Sequence, residues 1–178
     1  MPMSVAFALQ TLAELRRSED IVVEEAPSSR PVMHGHLPTL RSETFYTMAS
    51  GGLGFGLPAA VGVALARPGS RVIGLVGDGS AMYSIQALWS AAQLKLPMTF
   101  VILNNRRYAA LQEFAPTFGF AAGAKLEGTE LSGIDFVAIA KGMGVADAAR
   151  VERPDALRDA LASALGSRAP ALLEIVVA

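Results

Sequence analysis

A doubly wound α/β domain, built on a parallel sheet of about six strands with helices on both faces, is the fold this 178-residue sequence predicts. Two short apolar runs, Arg71–Val76 (RVIGLV) and Met98–Leu103 (MTFVIL), flank a helical pattern over roughly Tyr83–Leu94, with apolar positions at Ile85, Leu88, Trp89 and Ala92. Such a strand–helix–strand unit joins parallel neighbours by a right-handed crossover. The third observation is that strand-like and helix-like stretches keep alternating along the rest of the chain, as βαβ units do.

The elements follow in order. Ser4–Arg17 has an apolar face of Val5, Leu9, Leu12 and Ala13 and predicts an amphipathic helix. Asp20–Glu24 is a short buried strand, and Glu25–Pro31 a turn-rich loop at its carboxyl end. His34-Gly35-His36 reads as an ordinary loop or as one histidine at a site mouth, because two histidines at i, i+2 need further ligands to hold a metal. Thr44–Met48 is a strand that runs into a stretch with four glycines in six positions, Gly51 to Gly56, where the backbone must pass close to something. Pro58–Ala66 is a helix of small residues. Past Asn104-Asn105, Tyr108–Phe114 starts a helix, and the irregular, Gly-rich 115–132 segment reads as mobile, a candidate lid. Asp135 caps a helix through Lys141, a weak strand covers Ala146–Val151, Pro154 opens a helix over Asp155–Leu165, and Ala171–Val177 is the last strand.

Composition narrows the function. The chain is long enough for one domain with a sizeable core. Its residues are 52% hydrophobic and its formal net charge is −1, which argues against a nucleic-acid surface, since that needs a clustered basic field. Cysteine is absent, so there is no disulfide frame and no thiolate chemistry. No apolar run approaches the ~20 residues of a membrane span, and the Leu53–Ala66 run is broken by Gly and Pro. The N-terminal stretch has no signal-like pattern, so a cytoplasmic location is expected.

The two ends of the central unit carry chemistry. Asp78 and Asn105 both fall at the carboxyl edge of adjacent parallel strands, where ligands bind in open sheets. Asp78 offers an anionic oxygen and Asn105 a neutral amide oxygen. Ser80 and the backbone N–H groups after it lead into a helix, where the unpaired donors and the dipole favour phosphate. That donor set suits Mg²⁺, which prefers oxygen ligands and often takes part of its shell from ligand phosphates. A rival pattern exists: Gly54-Phe55-Gly56-Leu57-Pro58-Ala59 fits G-x-G-x-x-A, and Asp78 lies about twenty residues on, the outline of a nicotinamide-dinucleotide fingerprint. It leaves Asn104-Asn105 and the bracketing of Asp78 by two glycines unexplained.

The GDG at Gly77–Gly79, followed a little over twenty residues later by Asn104-Asn105, resembles the cofactor motif of thiamine diphosphate (ThDP) enzymes. With ASGGLGFGLPAA at Ala49–Ala60, NNRRYAALQEF at Asn104–Phe114 and GIDFVAIAKGMGV at Gly133–Val145, the likeness is nearest to benzoylformate decarboxylases, and to their C-terminal, diphosphate-binding domain alone, over residues 3–178. The resemblance implies Mg²⁺ held by Asp78, Asn105 and the Arg107 carbonyl. It implies cofactor contacts from Ser28, Gly51, Leu53, Gly79, Ser80 and Tyr83, with Leu53 propping the cofactor's bent shape. Leu111 and Phe114 are implied to wall an apolar substrate pocket. Two departures stand out. Pro27 replaces a frequent hydroxyl residue, and Arg106 sits where a small residue is common, so a positive φ there is costly. The implied reaction is non-oxidative decarboxylation of a small 2-oxo acid to an aldehyde, with an acetolactate-synthase-like carboligase as the alternative. An activating glutamate is implied in a pyrimidine-binding domain of the same or a neighbouring subunit, within a homodimer or homotetramer. No such role is assigned to Glu24, Glu25 or Glu43, so the chain alone is expected to bind cofactor without turnover. The remaining possibility is a non-catalytic module that keeps the fold only for pairing.

Overall fold

The computed structural model describes residues 3–121 and 123–178; Ala122, within the candidate lid, lies outside them. Six strands form one all-parallel sheet: β1 (Ile21–Glu25), β2 (Phe45–Thr47), β3 (Val72–Gly77), β4 (Met98–Asn104), β5 (Asp147–Val151) and β6 (Ala171–Val176). Their order is β2-β1-β3-β4-β6-β5. β1 and β4 are buried along their whole length, which is why they read as continuous apolar runs rather than alternating ones.

Helices cover both faces. On one, α1 (Val5–Leu15), α2 (Arg30–His36) and α8 (Pro154–Gly166) pack Leu9, Leu12, Met33, Leu157 and Leu161 against Val22, Leu75, Val101 and Leu173. On the other, α3 (Gly56–Ala66), α5 (Ala87–Gln93) and α7 (Phe136–Gly142) pack Leu57, Leu88 and Phe136 against Val23, Val76, Phe100 and Ile102. Asp135 caps α7 as expected, accepting from Ala138 N–H at 3.1 Å, and Ser4 lies just before α1 and caps it, accepting from Phe7 N–H at 3.2 Å.

The crossover between β3 and β4 differs from the single helix expected. A one-turn helix α4 (Asp78–Ala81) begins at the strand end, turns follow, and α5 starts only at Ala87. In the turns, Tyr83, Ser84, Ala87 and Leu88 N–H groups reach back three residues rather than four. Ala81, Ser84 and Ala87 are buried at a spacing of three, which a 3₁₀ path aligns on one side. The rotation also leaves Trp89 exposed (56%) and buries Ala87, Leu88 and Ala91 instead. His34 and His36 lie on the last turn of α2, not on a loop. Pro31 is no obstacle there, because the first helical turn has no use for its missing N–H.

Candidate functional site

The strand order creates the site. From β1 the chain leaves towards β2, and from β3 towards β4, so the connections after these two neighbours diverge. The crevice at their carboxyl ends is a topological switch point. A cavity of about 250 Å³ opens there. The 3₁₀ turn Pro27–Ser29 after β1, the Gly77–Ser80 turn after β3, the Gly51–Leu53 loop and the Arg107–Leu111 stretch line it.

Of the residues picked from sequence, Ser28, Gly51, Leu53, Asp78, Gly79, Ser80, Tyr83, Arg107 and Leu111 share this cavity. Asn105 comes just after β4 and is not among the residues that line the cavity; its Oδ1 accepts from Arg107 N–H at 3.2 Å. Phe114 is 63% exposed and lines a neighbouring hollow with Pro27, Ser28, Ala110 and Glu113. The last turn of α6 (Ala109–Phe114) carries it past the cavity that Leu111 lines.

Asp78 has the least ordinary environment. It is 3% exposed, its Oδ1 accepts from Gly79 N–H at 2.9 Å, and its Oδ2 is buried without a hydrogen-bond partner. Burial pushes its carboxyl up to about 6, against the opposing pull of the Gly79, Arg106 and Arg107 N–H groups. At neutral pH it is mostly ionised, so a buried anionic oxygen is left without a hydrogen-bond partner among the described residues. Orphaned anions of this kind are strongly disfavoured unless they coordinate or pair. A hard divalent cation fits that vacancy in the bonding.

The neighbouring backbone is shaped for close approach. A Cβ at Gly79 would lie 2.6 Å from two ring atoms of Tyr108. Tyr108 and Tyr83 meet edge to face, with ring centroids 6.5 Å apart. Arg106 has φ 62°, the left-handed conformation anticipated for that position, despite its side chain. Its ion pair with Glu152, at 3.8 Å, is exposed and contributes little.

Sequence reasoning missed Glu25. This buried carboxylate accepts from Gly54 N–H at 2.7 Å and from Gly56 N–H, and so pins the glycine-rich loop to β1. Glu25 closes β1 rather than opening the expected loop, and an adjacent pair of carboxylates at the end of a buried strand was the available signal. The same bonds weigh against the dinucleotide fingerprint, because two of its N–H groups are already taken. Glu24 is held by Arg30 and Thr47, and Glu43 is exposed beside Arg67, so neither is placed to activate a ligand in the cavity. Tyr108, also unremarked in the sequence as a site residue, contributes its ring to the wall.

The candidate lid is tied down at its far end. Leu131 N–H donates to the Arg106 carbonyl and Tyr108 N–H to the Thr129 carbonyl, each at 2.8 Å, which bridges Arg107 to Glu130. Among the described residues no group of three or more His, Cys, Asp and Glu is arranged for a metal, so His34 and His36 have no co-ligands; His34 packs against Phe45. Among the described residues no helix is long and apolar enough to cross a membrane.

Residues 28–175 match the family described as thiamine pyrophosphate enzyme, C-terminal TPP binding domain. The chain is 40% identical over 174 residues to benzoylformate decarboxylase of Pseudomonas aeruginosa, covering 98% of this chain and 32% of that one. It is 30% identical over 170 residues to the acetolactate synthase isozyme 2 large subunit of Escherichia coli, covering 95% of this chain and 30% of that one. The solved ThDP-dependent 4-hydroxybenzoylformate decarboxylase of Rhodococcus jostii RHA1 superposes with a TM-score of 0.92 at 40% identity, over 99% of this chain and 33% of that one. Benzoylformate decarboxylase from Polynucleobacter necessarius gives 0.91 at 35%, over 99% and 33%. The chain thus spans about a third of the length of the relatives it matches.

Proposed function

Because this chain belongs to the C-terminal, TPP-binding domain family of thiamine pyrophosphate enzymes, we propose that residues 3–178 hold the Mg²⁺–diphosphate end of ThDP in a non-oxidative decarboxylase of aryl 2-oxo acids. The observation that carries the metal assignment is the buried, unpartnered Oδ2 of Asp78 at the cavity.

The roles follow from the residues. Ionised Asp78 holds the cation, with the Asn105 amide oxygen and the Arg107 carbonyl as further oxygen ligands. Gly79 and Ser80 lend N–H donors to the diphosphate, and the Ser28 hydroxyl a further one. Gly51 offers its carbonyl to the aminopyrimidine, Leu53 supports the bent cofactor, and Tyr83 walls the same cavity. When bound, ThDP supplies the electron sink that allows carbon dioxide to leave a 2-oxo acid. Leu111 at the cavity, with Phe114 in the neighbouring hollow, provides apolar surface on which an aryl side chain can rest.

Among the described residues Asp78 is the only carboxylate that lines the cavity. By analogy with thiamine pyrophosphate enzymes, the activating glutamate is assigned to a pyrimidine-binding domain of the same or a neighbouring subunit, in a dimer or tetramer of identical subunits, and the chain alone is inactive. The decarboxylase reading is favoured over the carboligase reading by 40% against 30–35% identity. Grafting tests it: this chain replaces the matching third of a benzoylformate decarboxylase and, separately, of an acetolactate synthase. Aldehyde release from benzoylformate in the first host, without acetolactate formation in the second, is expected. Activity only in the second host would reject the decarboxylase assignment.

A further inference from the structure

Glu174 is 1% exposed in the middle of β6, in an otherwise apolar strand, and takes no part in the cavity. Its partners lie on the two adjacent strands. Oε2 accepts from Arg150 Nε at 2.8 Å across the β5–β6 register, and Oε1 accepts from Asn104 Nδ2 at 2.6 Å. Arg150 is itself braced by Asp135 Oδ1 at 2.9 Å, the oxygen that caps α7. These groups line a separate polar hollow together with Arg106.

An ionised carboxylate only accepts hydrogen bonds. Glu174 therefore fixes the Asn104 amide with its NH₂ towards β6, which leaves Asn104 Oδ1 for the Arg106 N–H, at 2.9 Å. Arg106 is the non-glycine residue at φ 62° between the two proposed metal ligands, Asn105 and Arg107. We propose that Glu174 is a positioning residue for the metal loop: clamped by Arg150, it orients Asn104 so that Asn104 holds the left-handed turn at Arg106. This rests on the metal assignment above for its consequence, but not for the turn itself. Glycine adopts that turn at no steric cost; arginine needs the clamp.

Glu174→Gln tests it, since Gln presents either an oxygen or an NH₂ to Asn104 and no longer dictates the amide's orientation. Amide exchange followed by NMR on the chain without metal or cofactor reads the turn directly. Arg106 N–H is expected to exchange about tenfold faster, with β4 amides such as Phe100 unchanged. Mg²⁺ affinity in the presence of ThDP is expected to fall by about tenfold or more, the usual consequence of losing a group that orients a metal ligand. Adding Arg106→Gly should restore that affinity, a rescue that a merely structural Glu174 would not show. Arg150→Gln, at an exposed position, should shift both readouts in the same direction more weakly, and decides the matter if Glu174→Gln fails to fold. Unchanged Arg106 exchange overturns the proposal whatever the metal does, and so does a lost Mg²⁺ affinity that Arg106→Gly leaves lost. A wild-type chain that never binds Mg²⁺–ThDP defeats the proposed function instead, while Arg106 exchange still decides the role of Glu174.

Discussion

Asp78→Asn should make the empty chain more stable above pH 6 while removing its response to metal. The unfolded chain titrates this carboxyl near 3.9, and the folded chain near 6, because Asp78 is buried. Between those values the native state binds the proton more tightly than the unfolded state does. Stability therefore falls as pH rises through the window, and above it the full penalty of the buried charge is present. A rise of about two pH units at 1.36 kcal/mol each gives about 3 kcal/mol. Asn keeps the oxygen that accepts from Gly79 N–H and cannot ionise. For a chain of this length, 3 kcal/mol corresponds to roughly 6–12 °C in Tm. Urea and thermal unfolding of both proteins from pH 4 to pH 8, first in chelator, should show the variant level with wild type at the acid end and ahead by up to that amount at pH 8. Mg²⁺ with ThDP at about a hundred times Kd should then return about 2.7 kcal/mol to wild type and nothing to the variant. A variant less stable than wild type at pH 8, or a difference that ignores pH, would refute the reasoning that burial strains this carboxylate in readiness for a cation.

Three further outcomes are expected. Glu25→Ala should cost about 3 kcal/mol in urea unfolding, since two charge-assisted bonds to Gly54 and Gly56 N–H are lost; a cost below about 1 kcal/mol would mean that the loop holds itself. Gly79→Ala should weaken ThDP binding by calorimetry, because the added carbon overlaps the Tyr108 ring; a second change, Tyr108→Ala, should recover part of the loss, and no recovery would point to the backbone instead. Leu53→Ala, at a half-buried position, should move stability by less than about 1 kcal/mol yet lower ThDP affinity clearly, and unchanged affinity would remove its supporting role.

Much of the sheet was legible because buried parallel strands such as Arg71–Val76 and Met98–Leu103 have no alternating pattern to confuse, and Gly77-Asp78-Gly79 and Asn104-Asn105 mark their carboxyl ends. The helical interruption after Ala81 was not, since a helical stripe and a short 3₁₀ turn place apolar residues at nearly the same spacing. Nor was the insertion of β6 between β4 and β5, which depends on contacts between distant stretches. Glu174 was visible as a carboxylate within an apolar run and Glu25 as one just past another, but their partners lie 29, 31 and 70 residues away in sequence. The left-handed turn at Arg106 could be anticipated only through resemblance, because an arginine announces no such conformation.

Calorimetric titration of the purified chain with ThDP, with and without Mg²⁺ and with NAD as the comparison ligand, tests the central claim most directly. Asp78 as a metal-bearing carboxylate predicts saturable ThDP binding that requires Mg²⁺, disappears in chelator and in Asp78→Asn, and has no counterpart with NAD. Equal ThDP binding in chelator, or NAD binding indifferent to metal, would contradict it.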